Sequence, residues 1–173
     1  KIGYLDKVLP DTIISGDTLE VPITISSRTA HSFPSGTSSS REAWLEILIL
    51  HELYDTLFQS GFLETNIESL DKTDPFLLLF TSYILDENGH VTNSVTKTYD
   101  IINNTLLAFS DRYHSYKVKI PINISGEIQI KLKMRFRSFK PEILYSHPDC
   151  NDGECRLLDN LPIFDMASKQ YKI

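Results

Sequence analysis

The stretch Glu127–Phe139, EIQIKLKMRFRSF, constrains the fold of this chain more than any other. Ile128, Ile130, Leu132, Met134 and Phe136 fall on one parity, and Gln129, Lys131, Lys133, Arg135 and Arg137 on the other. A period of two is a strand with one face on a core and the other towards water. One such strand cannot bury its own apolar face, so the chain must supply a facing layer and lateral partners.

Those partners are legible upstream. TLEVPITIS (18–26) alternates, with Leu19, Val21, Ile23 and Ile25 on one face. AWLEILIL (43–50) is apolar on both faces, as expected of a central strand. FLLLFTSYIL (76–85) runs into DENGHV, where Asn88-Gly89 predicts a type I′ hairpin with VTKTYDI (95–101) returning. YHSYKVKIPI (113–122) is a further strand, and LPIFDMASKQYKI adds an edge strand at the end. Helix is scarce: Leu63, Ile67 and Leu70 predict about two turns over 62–71. The expectation is an all-β, antiparallel two-sheet sandwich of immunoglobulin-like type, with residues 1–173 as one domain. No Cys…Trp…Cys spacing marks a true immunoglobulin domain.

Composition and motifs exclude more functions than they suggest. A net charge of −6 argues against a nucleic-acid surface, which needs clustered cations. No apolar run approaches the roughly 18 residues of a membrane helix. The chain opens on Lys1, lacks the apolar core of a signal peptide, and reads as a processed or excised segment. It contains no Gly-rich phosphate loop, no G-x-S-x-G and no H-E-x-x-H, and its five histidines are scattered. A non-enzyme is therefore expected. Covalent haem attachment needs Cys-x-x-Cys-His, which is missing, so this chain attaches no haem of its own.

Five features remain as candidate sites. Lys131, Lys133, Arg135 and Arg137 stand about 7 Å apart along their strand. They can meet a row of carboxylates on a partner; the simpler reading pairs them with acidic residues on a neighbouring strand. Cys150 and Cys155 in HPDCNDGEC read as a local disulfide and favour an oxidising compartment, with two reduced thiols as the alternative. Asp149, Asn151, Asp152 and Glu154 around Gly153 form a weak calcium candidate without the full twelve-residue pattern. Asn103 and Asn123 are formal glycosylation sequons.

The fifth is the loop RTAHSFPSGTSSSREAW, Arg28–Trp44. Pro34 fixes its own φ, lowers the penalty on a cis bond and pushes Phe33 towards an extended shape. Gly36 permits a sharp reversal. Phe33 can then anchor the loop, with Arg41 and Trp44 as braces, and leave His31 on its shoulder. A lone histidine there either bonds a loop carbonyl or presents a metal ligand.

At these residues the chain resembles a known family. AHSFPSG, then REAWLEILIL, then Ser60-Gly61 is similar to the haem-free C-terminal region of certain multihaem c-type cytochromes, where a GH-x-F/L-P-T/S-G motif precedes an R-x-A-W-L strand. LDENGHVT, YKVKIP, KMRFRSFKPEIL and LPIFDMAS follow in the family's order. Ala30 stands where the family usually has Gly, and Ser35 where Thr is commoner. The resemblance implies a module of an extracytoplasmic electron-transfer system (periplasmic, cell-surface or extracellular). It implies docking, assembly or haem capping against a multihaem cytochrome chain or an upstream haem segment, with self-assembly also open. It makes His31 a candidate distal ligand to a neighbouring haem c, and the basic stripe a candidate contact for haem propionates or an acidic partner. The alternative is a free-standing surface or adhesion sandwich that binds carbohydrate or protein, with calcium as a stabiliser.

Overall fold

A computed structural model describes residues 9–53, 55–145, 150 and 161–173. Its strands are β1 Thr18–Ser26, β2 Glu42–His51, β3 Asp55–Ser60, β4 Leu78–Phe80, β5 Ser82–Leu85, β6 Val91–Thr92, β7 Asp100–Asn103, β8 Asp111–Lys119, β9 Ile128–Arg137 and β10 Phe164–Lys172. One short helix, α1 Pro141–Tyr145, lies between β9 and β10. All the strand pairings are antiparallel.

The main sheet has β10 at one edge, then β9, then β2; the far side of β2 pairs with β4 along its first half and with β3 along its second. β1 and β8 form a separate two-stranded layer. The two layers meet through the residues that the period-two pattern selects. Leu19, Val21, Ile23 and Ile25 of β1, with Tyr116 and Val118 of β8, pack against Ala43, Leu45, Ile47 and Ile49 of β2 and Ile128, Ile130, Leu132 and Met134 of β9. The antiparallel sandwich is thus formed, with β2 buried at its centre. Its outward parity is buried as well: Trp44 joins Leu63, Leu70 and Leu79 in a second, smaller cluster on the opposite face of the sheet.

Four local expectations are corrected. The run 76–85 is not one strand. It breaks at Thr81, whose side chain is fully buried and donates to Arg41 O at 2.7 Å, so β4 stays in the main sheet while β5 leaves it. β5 becomes the centre of a three-stranded sheet with β6 and β7. The Asn88-Gly89 turn is not type I′, which needs positive φ at both residues: among the described residues near it Gly89 alone has one, +77°. The Asp86 carboxylate closes the turn by accepting from the N–H groups of Asn88 and His90, both at 2.9 Å. The returning strand is the short β6, while Val95–Lys97 forms a single 3₁₀ turn. Residues 62–71 form no helix. Leu63 and Leu70 are buried, but Ile67 is not, and the carbonyls of Asn66 and Glu68 accept from Arg137 rather than from a helical ladder.

Candidate functional site

The loop after β1 is tied down along its whole length. Ser27 N donates to Ser110 O at 2.9 Å, and Phe109 N donates to Thr29 O at 3.3 Å. Thr29 Oγ1 donates to His31 O at 2.7 Å. Phe33 exchanges both backbone hydrogen bonds with Leu106, at 2.7 and 2.8 Å, a one-residue bridge outside the main sheets. The Phe33–Pro34 bond is cis, and Pro34 is buried. The Phe33 ring packs on the edge of the core, 5.8 Å from the ring of Phe136.

Gly36 then turns the chain at φ +72°. Arg41 fills the space beside it: Nη1 donates to Ser35 O at 2.7 Å and lies 3.1 Å from where a Gly36 Cβ would stand. Arg41 therefore braces the loop. Trp44 does not. It lies on the outer face of β2, where its Nε1–H donates to Gly61 O at 2.8 Å, remote in the sheet's pleat from the core edge that Phe33 covers. The strand's parity carries the signal for this: Trp44 shares its face with Glu42 and Glu46, not with the core residues.

His31 is exposed on this fixed loop. Its Nδ1 lies 3.1 Å from Ser32 O. A carbonyl can only accept, so the contact is a hydrogen bond when Nδ1 donates. A histidine that binds a metal through Nε2 donates its other ring N–H in this way.

The basic stripe is divided. Arg137 is fully buried and lies opposite Glu42, which is fully buried too. The two form an ion pair, and Arg137 Nη1 also donates to Asn66 O at 3.1 Å and Glu68 O at 2.7 Å. Its guanidinium sits 5.3 Å from the ring centre of Trp44. Arg135 bridges Glu46 at 2.6 Å and Asp165 at 3.2 Å. Lys133 also reaches Asp165, at 3.2 Å. Arg137 is therefore corrected as a partner contact, because it has no surface to offer. Arg135 is largely enclosed, while Lys131 and Lys133 remain half-exposed on the sheet.

Burial pushes the Glu42 carboxyl above its usual range, against the pull of Arg137. Glu46 is raised for the same reason, with Arg135 opposing. Desolvation of each carboxylate outweighs the attraction of its partner.

The calcium candidates Asp149, Asn151, Asp152 and Glu154 lie outside the described residues, as does Cys155. Cys150 is buried. Among the described residues no three His, Cys, Asp or Glu side chains converge as a metal-ligand set. No helix among them is long and apolar enough to cross a membrane. Of the sequons, Asn103 caps its own turn by accepting from Thr105 N and Oγ1, and Asn123 sits at φ +66°.

No protein-family model matches the chain, and no curated protein matches it in sequence. A solved structure does share its fold. The chain is built like part of a penta-heme cytochrome c552. That protein is from Thermochromatium tepidum, and the two align over 93% of this chain with a TM-score of 0.63 and 16% identity. The chain spans 37% of the cytochrome's length. At that identity the likeness establishes the fold.

Proposed function

We propose that this chain is a non-enzymatic, haem-free sandwich module of an extracytoplasmic multihaem cytochrome electron-transfer system. It docks against a haem-bearing segment, in the same precursor or on a partner, and caps a haem with the 28–36 loop. The observation that carries this reading is the fold shared, over nearly the whole chain, with about a third of a penta-heme cytochrome. The ordered motifs AHSFPSG, REAWL and LPIFDMA support it independently of the coordinates.

The residues present fit a haem iron that another segment holds. A Cys-x-x-Cys-His haem has one axial position open to a second protein ligand. His31 offers an exposed imidazole on a loop that Phe33, Pro34, Gly36 and Arg41 hold in place. A haem in that position would supply one-electron redox chemistry. The work of this chain is to fix the imidazole, shelter the haem edge from water and present Lys131 and Lys133 to carboxylates on the partner.

The first test is the reading frame upstream of Lys1 and the neighbouring frames. Cys-x-x-Cys-His repeats are expected there, and their absence from all of them overturns the reading. The second concerns His31. Replacing His31 by Ala in the native complex is expected to shift the Soret band and the potential of one haem; unchanged spectrum and potential remove His31 as a ligand.

A further inference from the structure

A cleft on the other side of the Ser-rich loop holds a buried cation with no carboxylate at ion-pair distance among the described residues. Its walls are the Thr37–Ser40 turn, β5, the Val91–Val95 segment and the start of α1, and its volume is about 130 Å³. Lys140 lines it and is 4% exposed. The position is fixed from both ends: Lys140 N donates to Ser40 O at 2.9 Å, and Nζ donates to Ser82 O at 3.2 Å. Nζ also stands 4.9 Å from the ring centre of Tyr83, another lining residue.

An ammonium has three donors, and hydrogen bonds to the described residues account for one. The nearby carboxylates are engaged elsewhere. Glu42 pairs with Arg137, and Glu142 with Lys72 and Ser69. Among the described residues no carboxylate lies within ion-pair distance of Lys140. Burial accordingly pushes its pKa below the usual lysine range. A buried charge of this kind is costly to the fold until an anion or strong acceptor reaches it.

The chemistry of the cleft selects the anion. Its volume of about 130 Å³ leaves room for a carboxyl group on a short carbon stem. One carboxylate oxygen meets the ammonium, and the other faces the Ser39 side of the turn, the Ser40 hydroxyl being engaged as donor to Thr37 O at 2.9 Å. An alkyl stem leaves past Val91 and Val95, apolar side chains that line the mouth and are 63% and 77% exposed. A dianion such as phosphate is disfavoured, because Lys140 is the one cation among the described lining residues and the Glu42 and Glu142 charges already act on it.

We propose that this cleft is a binding site for a monocarboxylate of acetate-to-propionate size, either free or at the end of a larger group, with Lys140 as its counter-ion. The proposal does not rest on the cytochrome reading, since every group it uses belongs to this chain.

The test is thermal unfolding of the full chain at neutral pH in sodium propionate, against sodium chloride at equal ionic strength. At about five times Kd, propionate is expected to raise Tm by about 2–4 °C beyond chloride. Lys140→Met should abolish the response. Val95→Trp, at an exposed position, should fold normally and block the mouth, so it decides the matter if Lys140→Met does not fold. A native response equal to that in chloride overturns the proposal, as does a propionate response that survives in Val95→Trp. A c-type haem peptide with free propionates, compared with its dimethyl ester, distinguishes the sources. Binding of the free acid that propionate competes away assigns a carboxylate carried on a larger group; a response to propionate without haem-peptide binding assigns a free small acid.

Discussion

Replacing Arg137 by Met tests whether the Glu42–Arg137 pair is what closes the outer face of the main sheet. Both side chains are fully buried, so Arg137→Met leaves a carboxylate without its partner in a dry site. Breaking a buried pair from one side costs about 3–5 kcal/mol. The carbonyls of Asn66 and Glu68 also lose their donor, but Asn66 is exposed and Glu68 partly so, and water replaces it at little cost. The expected loss is about 4 kcal/mol, a large share of the roughly 5–15 kcal/mol that holds a domain. With a urea m-value of about 2 kcal/mol/M, the midpoint should fall by about 2 M. The double change Glu42→Leu with Arg137→Met should recover about 2 kcal/mol of that loss, because no buried charge remains. Acid should help the single variant. With the Glu42 carboxyl raised, the folded state binds a proton that the unfolded state releases above about 4.5, so stability rises as pH falls from neutral towards that value. Urea unfolding followed by far-UV circular dichroism at pH 7 and pH 5 measures all three. A single variant within about 1 kcal/mol of the native chain, or a double variant weaker than the single, would refute the reasoning.

Two further changes probe the packing. Tyr116→Phe should leave stability unchanged or raise it by about 1 kcal/mol, because the buried Tyr116 hydroxyl has no hydrogen-bond partner among the described residues; a fall of more than about 1 kcal/mol in urea would contradict this. Gly61→Ala should cost about 2–4 kcal/mol, since Gly61 sits at φ +64° and a Cβ would lie 2.6 Å from Leu45 O and 2.9 Å from Trp44 Cδ1. Trp44 is the one tryptophan in the chain, so its fluorescence reports the same event, and an unmoved emission maximum would mean the contact relaxes freely.

The sandwich is legible in the sequence because burial of one face writes itself as parity, and β1, β2, β8 and β9 all keep strict parity at their core positions. Two elements were hidden because tertiary bonds decide them. β3, DTLFQS, has too few apolar residues to signal a strand, and exists because β2 offers it an edge. Residues 62–71 have helical spacing, but Arg137 claims two of their carbonyls from across the sheet. The His31 loop is half legible. Its Pro and Gly predict its shape, whereas its tether to Leu106, some seventy residues away, has no local signature. Lys140 was invisible, since a lysine before Pro141 reads as surface until the fold encloses it.

The long-range pairing of the sandwich has a consequence for how the chain is made. β1 pairs with β8 in a register that joins Thr18 to Lys119, and β2 pairs with β9 from Glu42 to Arg137. At about 5–20 residues per second, a ribosome needs roughly 5–20 s after β1 to deliver its partner. Throughout that interval β1 has no strand to pair with, and β2 has only the short β3 and β4. The apolar faces of β1 and β2 wait longest for cover, so the yield of the chain should respond to holdase supply more than its final stability would suggest.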